Sequence, residues 1–573
     1  MFKRLIAASL LPLALWGCPA SQQISSAPPA DAPPGVVSAA DPRAAEAGVA
    51  MLRQGGSATD AAIATMIALT VVEPQSSGIG GGGFYVRGGA DGSVETLDGR
   101  ETAPAAADPE WFLGEDGSPR PYFEAILSGL SVGVPGNLRL AAEAHSRHGR
   151  LDWEELFKPA IALASDGFVL SERGRDYLVR AKNRAAFTPE GLALYYDNAG
   201  EALPVGTLIR NPALAATLAL IAEDGAEAFY AGDNAQEIAT TVSAATPRAR
   251  AMVVGDIEFY SVRPRDPVCA RYRSYRVCGM GPPSSGATTV LAILKQLEGF
   301  DMAALGQDSP VAWHLFAESQ RLAYADRELY LADEDFVQVP VAGLIDSAYL
   351  AERGALISPG STMASVGPGR PFPGDAPPIA LADGDEPPES GTSHFSVVDR
   401  WGNAVSYTST IEGSFGSGLM VGGYYLNNEL TDFSFTPERD GALVANRVQA
   451  GKRPRSSMAP TVVYDADGRL ILAIGAAGGG TIPVQVAKAL VGYLDWGLSA
   501  EAAIALPVLY SPGDTVIIEQ GTMLEAMIPQ LEALGHSSIM ARGLPLKSNA
   551  VELVDGEWVG AADPRSEGVA IIE

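Results

Sequence analysis

Glu389-Ser390-Gly391-Thr392-Ser393-His394-Phe395-Ser396-Val397-Val398-Asp399 is the stretch on which the reading of this chain turns. Apolar and β-branched residues from Phe395 onward predict a strand, with a Gly–Thr pair at its mouth. Upstream, Pro371 to Glu389 (PFPGDAPPIALADGDEPPE) is rich in proline and acid and reads as an exposed, flexible linker. Downstream, Ala404 to Ile411 reads as a second strand. Thr461 to Tyr464 and Leu470 to Ile474 flank Asp465-Ala466-Asp467-Gly468, a hairpin signal. Val484 to Leu498 and Met523 to Leu534 carry helical spacing. The last third therefore reads as α+β.

Toward the amino terminus, apolar residues from Ala40 to Leu52 recur at helical spacing, and Gly55-Gly56 ends that helix. A second helix starts near Ser57 or Thr59, and its apolar part, Ala61 to Val72, stops at Glu73-Pro74. Leu138 to His148, Trp153 to Ser165 and Val311 to Tyr330 also read as helices. No tandem repeat is visible.

The chain has 573 residues, with 40 Lys plus Arg against 68 Asp plus Glu, a net charge of -28. That balance excludes a general nucleic-acid binder, which needs concentrated positive charge. It also excludes attraction to anionic headgroups. A hydrophobic content of 47% with 19% charged residues excludes a largely disordered chain. Lys3 and Arg4 precede an apolar run from Leu5 to Trp16, short of the roughly 20 residues that span a bilayer. Leu15 stands three residues before Cys18, similar to the lipobox of bacterial lipoproteins. Residues 1–18 thus read as an export signal with Cys18 lipidated, the alternative being an ordinary cleaved signal peptide. Residues 19–35, rich in Ser, Ala and Pro, suit a tether.

Some motifs carry little. Gly78, Gly80 and Gly83 satisfy GxGxxG, yet Phe84-Tyr85-Val86 after them favours a strand where a dinucleotide site needs a helix. Gly129-Leu130-Ser131-Val132-Gly133 matches a nucleophile elbow, but Pro135-Gly136 interrupts the required helix. The five histidines, among them His145 and His148 on a helix surface, show no zinc-protease spacing, so a catalytic metal is not expected. Cys269 and Cys278 would oppose each other in a hairpin turning at Arg273-Ser274. They are either a disulfide, which an exported protein permits, or two small core residues.

Several ordered motifs resemble one family, the gamma-glutamyltransferases (glutathione hydrolases) of the N-terminal nucleophile hydrolases. They include Glu73-Pro74-Gln75-Ser76-Ser77-Gly78 with the glycines that follow, Asp98-Gly99-Arg100-Glu101-Thr102, and Gly133-Val134-Pro135-Gly136. Pro282-Pro283-Ser284-Ser285-Gly286, Leu426-Asn427-Asn428-Glu429-Leu430-Thr431-Asp432, Lys452-Arg453-Pro454-Arg455-Ser456-Ser457 and Asp563-Pro564-Arg565-Ser566 continue the order. The resemblance runs from about Val36 to the carboxyl end. It implies an αββα sandwich, cut by its own chemistry into a large chain (36–391) and a small one (392–573) that stay together as a heterodimer.

The chemistry agrees with the residue types. A Thr hydroxyl is a poor nucleophile unless a base takes its proton, and a free amino terminus can be that base. Its reference pKa, about 7.7–8.0, suits proton transfer near neutral pH. Thr392 has such an amine only once the Gly391–Thr392 bond is cut, and Gly391 leaves the attacked carbonyl unshielded. By resemblance, Thr410 orients Thr392, and Gly478 and Gly479 offer backbone N–H groups to the oxyanion. Losing one such donor typically costs about 2.7–4 kcal/mol of barrier. Arg100 with Ser456 and Ser457 would take a donor's α-carboxylate, and Glu412, Glu429 and Asp432 its α-ammonium. Ser393 departs from the Thr of many relatives but keeps the hydroxyl. Some relatives carry Asn and Gln where Glu412 and Glu429 stand. Phe433 to Arg455 covers the region where some relatives have a lid, which bears on hydrolysis against transfer.

The expected activity is cleavage of the γ-glutamyl amide of glutathione and similar compounds through an ester on Thr392, with water or an amino-acid or peptide acceptor completing the turn. No metal or organic cofactor, no nucleic acid, and a membrane only through the lipid anchor are expected. The rivals are a glutaryl or cephalosporin acylase of the same superfamily and an uncut, anchored binding protein.

Overall fold

In this computed structural model, residues 32–372, 381–382 and 391–573 are described. The export signal with Cys18, most of the tether, and most of the Pro371–Glu389 linker lie outside them, as do Glu389 and Ser390. Within that linker, Leu381–Ala382 pair in parallel with Leu443–Val444.

The first helix, Pro42–Arg53, starts where Asp41 accepts the N–H of Arg43 and a proline sits in the first turn. The second, Ala58–Val72, opens on a capping box between Ser57 and Asp60 and is buried along its whole length. It is apolar all round because protein covers every face. Its carboxyl end delivers Glu73 to Ser76. The chain then turns at glycines that a side chain would block: a Cβ on Gly81 would lie 1.9 Å from the Thr410 carbonyl oxygen.

The Thr392 strand, Ser393–Val398, is central in a seven-stranded antiparallel sheet. Its neighbours are Val36–Ala39 and Ala404–Thr410, and Gly82–Gly88 lies beyond. A six-stranded sheet runs from Glu557–Ala562 through Lys547–Val554, Leu470–Ala477, Thr461–Tyr464 and Tyr275–Gly279 to Val268–Tyr272. The two sheets meet through small polar groups. Ser406 donates its hydroxyl to the Ile474 carbonyl at 3.0 Å, and Ser396 donates to that of Asn549 at 3.3 Å. The opposite face of the first sheet, Phe395, Val397, Val405 and Tyr407, packs with the first two helices. The second sheet shares its core with helices Gly286–Leu297 and Ile482–Leu494.

Two expected helices differ. Met523 to Leu534 is split into Met523–Ala526 and Ile528–Ala533, where Pro529 occupies a first turn. Trp153 to Ser165 begins as a 3₁₀ turn, Trp153–Phe157, before Lys158–Ser165. In the edge hairpin Cys269 lies opposite Cys278, with Cα atoms 4.1 Å apart and the sulfurs bonded. Among the described residues no helix is long and apolar enough to cross a membrane.

Candidate active site

Thr392 is buried at the mouth of the central strand with φ of 93°. A β-branched residue is a genuine outlier there, and such conformations cost about 1–3 kcal/mol. Surrounding contacts hold it. Its N–H donates to the Ser76 carbonyl at 2.9 Å, and its hydroxyl lies 3.0 Å from that of Thr410. Thr410 Oγ1 in turn accepts the Glu412 N–H at 2.8 Å. Gly391 is pressed so closely that a Cβ would fall 1.8 Å from the Glu412 carbonyl oxygen. The backbone is thus strained on the carboxyl side of the bond whose cutting the sequence suggests.

Thr392 shares a small cavity with Gly391, Gly478, Arg173 and Lys547. Gly478 and Gly479 have φ of 132° and 60°, and helix Ile482–Leu494 follows within three residues. Their N–H groups stand in a region where amides lack intrahelical partners and favour negative charge. A Cβ on Gly478 would meet the Pro545 carbonyl oxygen at 2.3 Å, so glycine is required on two counts.

Next to Thr392, the Ser393 hydroxyl donates to Glu73 at 2.6 Å, and Lys547 Nζ lies 2.9 Å from the same carboxylate oxygen. Burial opposes charge on both partners. The Lys547 charge nevertheless holds Glu73 below the usual carboxylate range, while Lys547 itself is lowered.

The second cluster surrounds Arg100. Its guanidinium contacts Glu429 and Asp432 and donates to the carbonyls of Pro454 at 3.2 Å and Arg455 at 2.9 Å. Glu412 accepts from the Asn428 amide, while its other oxygen has no hydrogen-bond partner. Burial, then the charge of Asp432, pushes Glu412 up to about 8. Burial pushes Glu429 well above its usual range and Glu101 up to about 8, against the pull of Arg100. The structure therefore gathers Arg100, Glu412, Glu429 and Asp432, with Arg100 engaged by protein carboxylates. The Ser456 hydroxyl accepts the Met458 N–H at 3.2 Å, and the Ser457 hydroxyl accepts from Arg327 at 2.7 Å. The segment after Phe433 is pinned where Phe435 stacks on Phe112, with centroids 4.1 Å apart.

Glu101, Arg184, Glu73, Lys547 and Arg173 escaped the sequence reading. Arg184 faces Glu412 and is lowered by burial. Each is a single charged residue in an ordinary segment, although Glu101 follows Arg100 directly and Glu73 opens a quoted motif. His394, inside the decisive stretch, has another role. It is buried between Thr408 and Ser396, held down to about 3 by burial, and fits only because Gly475 has no Cβ. His314, Glu318 and His536 also converge, but His314 is bonded to His536 and the Ser358 carbonyl, and Glu318 to Arg321 and Met363. A roomier cleft of 900 Å³ around Phe259 and Tyr260 is not lined by Thr392.

Residues 44–572 match the family model described as gamma-glutamyltranspeptidase. The glutathione hydrolase proenzyme of Bacillus subtilis (strain 168) is 36% identical over 553 residues, covering 94% of this chain and 91% of that one. That of Escherichia coli (strain K12) is 34% identical over 550 residues, with the same coverage. The crystal structure of a cephalosporin acylase from Bacillus halodurans superposes with a TM-score of 0.82 at 26% identity, covering 98% of this chain and 99% of that one. A family model matched over residues 44–572, with relatives aligned almost end to end, leads to one assignment: the protein belongs to the gamma-glutamyltranspeptidase family.

Proposed function

We propose that the chain is the precursor of a threonine-nucleophile γ-glutamyl hydrolase and transferase of αββα architecture. The observation that carries this is Thr392 itself: φ of 93°, hydroxyl 3.0 Å from Thr410, in one cavity with Gly391 and Gly478. In the precursor the Thr392 hydroxyl attacks the Gly391 carbonyl. The C–N bond breaks, the nitrogen takes a proton, and water releases Gly391 from the resulting ester. The cut frees Thr392 from the strained φ, because that torsion no longer exists.

In the two-chain enzyme the new amine takes the proton of the Thr392 hydroxyl as oxygen attacks the donor's γ-carbonyl. The N–H groups of Gly478 and Gly479 receive the oxyanion. The amine returns the proton to the leaving nitrogen, leaving a glutamyl ester. Water then gives glutamate, or an acceptor amine gives a γ-glutamyl peptide. The donor's α-carboxylate and α-ammonium replace the internal pairing of Arg100 with Glu429 and Asp432, with Glu412, Ser456 and Ser457 completing the pocket. Cys18 anchors the exported enzyme to a membrane through lipid, and glutathione is the proposed donor.

The similarity to a cephalosporin acylase supports a second reading, cleavage of glutaryl-type amides. A glutaryl group has no ammonium, so the buried Glu412 oxygen that has no hydrogen-bond partner would stay without one. Rates on γ-glutamyl and glutaryl anilides separate the two. Preference for γ-glutamyl by more than about tenfold supports the first, and preference for glutaryl overturns it.

A further inference from the structure

The helix Pro310–Tyr330 carries His314 and Glu318 one turn apart on the same face. His536 follows the helix Ile528–Ala533, and all three side chains are buried. One donor atom from each, an imidazole nitrogen of either histidine and a carboxylate oxygen of Glu318, lie within 4.8 Å of one another. None of the three lines the Thr392 cavity. His314 and His536 stand 222 residues apart, so no local spacing announces the group.

The hydrogen bonds around these side chains are those a metal site keeps. His314 Nε2 lies 2.8 Å from the Ser358 carbonyl oxygen. That oxygen can only accept, so Nε2 carries the proton, and the neutral ring turns a bare Nδ1 toward His536 Nε2 at 2.8 Å. A ligating imidazole is oriented in this way, by a backbone carbonyl on its other nitrogen. Glu318 accepts from Arg321 at 2.9 Å on one oxygen and from the Met363 N–H at 2.7 Å on the other, and each oxygen keeps a further lone pair. Asp514 also pairs with Arg321, at 2.7 Å, so Glu318, Arg321 and Asp514 together carry one net negative charge. Two imidazoles and a carboxylate suit Zn²⁺ at about 2.0–2.2 Å, with water in the fourth position. They do not suit Mg²⁺ or Ca²⁺, which take oxygen ligands. Donors on a tetrahedral zinc stand roughly 3.3 Å apart, so the two rings need open by only about 0.5 Å while His536 places its proton on Nδ1.

We infer that His314, Glu318 and His536 form a structural site for one divalent ion of the zinc class. His314 and Glu318 precede Gly391, and His536 follows Thr392. In the two-chain enzyme the ion would therefore bridge the large chain to the small one. That bridging rests on the cut proposed above, and the site itself does not.

The test takes the untagged full-length protein, strips it with EDTA and titrates it with Zn²⁺ at neutral pH. Calorimetry should show one ion per molecule with a Kd below about 10 μM. The melting temperature should rise by about 2–4 °C at a hundredfold excess over Kd, and Mg²⁺ should leave it unchanged. His536→Gln and Glu318→Gln should each weaken zinc binding at least tenfold. His148→Gln, at the contact with Glu95 on another helix surface, should not. No binding up to about 100 μM Zn²⁺, binding that survives both cluster variants, or binding lost with His148→Gln overturns the inference. If neither cluster variant folds, Co²⁺ on the wild type decides: the intense visible bands of a four-coordinate ion support the site, and the weak bands of a six-coordinate one overturn it. A gel run alongside keeps the two readings apart, since a chain that binds zinc yet stays whole refutes the cut and the bridging, not the site.

Discussion

The hydroxyls of Thr392 and Thr410 lie 3.0 Å apart, and the Thr410 oxygen also accepts the N–H of Glu412. That acceptance fixes the Thr410 hydroxyl in place, so one hydrogen bond links it to the Thr392 hydroxyl and holds that side chain in one orientation. Thr410→Ala removes the contact. It should slow cutting and donor hydrolysis at least fivefold, the scale of one hydrogen bond of about 1 kcal/mol. Thr410→Ser should recover most of the rate. Time courses on gels and initial rates measure both, and an alanine variant as fast as wild type would contradict the role.

Gly391 is held where any side chain would strike the Glu412 carbonyl. Gly391→Ala should therefore displace the Gly391 carbonyl from the Thr392 hydroxyl and leave most of the chain uncut after a day. Any two-chain enzyme that does form should keep a rate per cut molecule close to wild type, because residue 391 is then the free end of the large chain and no longer bonded to Thr392. Normal cutting would show that the junction is looser than described.

Glu412 supplies a pH signature. Its folded pKa, about 8, lies above the ordinary 4.5. Its stabilising contribution is therefore full below the unfolded value and is lost as pH rises through about 8. Glu412→Gln should gain melting temperature relative to wild type from pH 5 to pH 9. Donor binding runs the other way, since only the ionised carboxylate attracts the ammonium. The variant's KM should match wild type near pH 6 and exceed it severalfold at pH 8.5. A difference independent of pH would contradict the assignment.

The Cys269–Cys278 bridge closes a short loop in an edge hairpin. Replacing both with Ser should cost about 2–3 kcal/mol, the usual scale for short loops, and leave kcat/KM within about twofold. Thermal melts and rates check this, and an unchanged melting temperature would refute it.

The part of this molecule legible in its sequence is the part carried by contiguous residues. Gly391-Thr392 before a strand could be read because a threonine nucleophile needs a cuttable bond on its amino side. The hairpin of Cys269 and Cys278 could be read because pairing in a two-residue turn follows from counting. The pairing of Val36–Ala39 with Ser393–Val398 could not, since no local pattern links strands so far apart. Lys547 reaches Glu73 across 474 residues, and Arg173 is one arginine on an exposed helix, so topology alone brings either to Thr392. The split at Pro529 was written in the sequence, and helical spacing masked it.

The central claim is that Thr392 becomes an amino terminus. The direct measurement is a denaturing gel of the purified protein followed by amino-terminal sequencing of the smaller band. The account predicts that the 59.6 kDa chain gives way to two bands, the smaller running from Thr392 to Glu573, 182 residues, and beginning Thr-Ser-His-Phe-Ser. Thr392→Ala should stay as one band. A wild-type chain that remains whole while folded, or a small band that begins elsewhere, would contradict it.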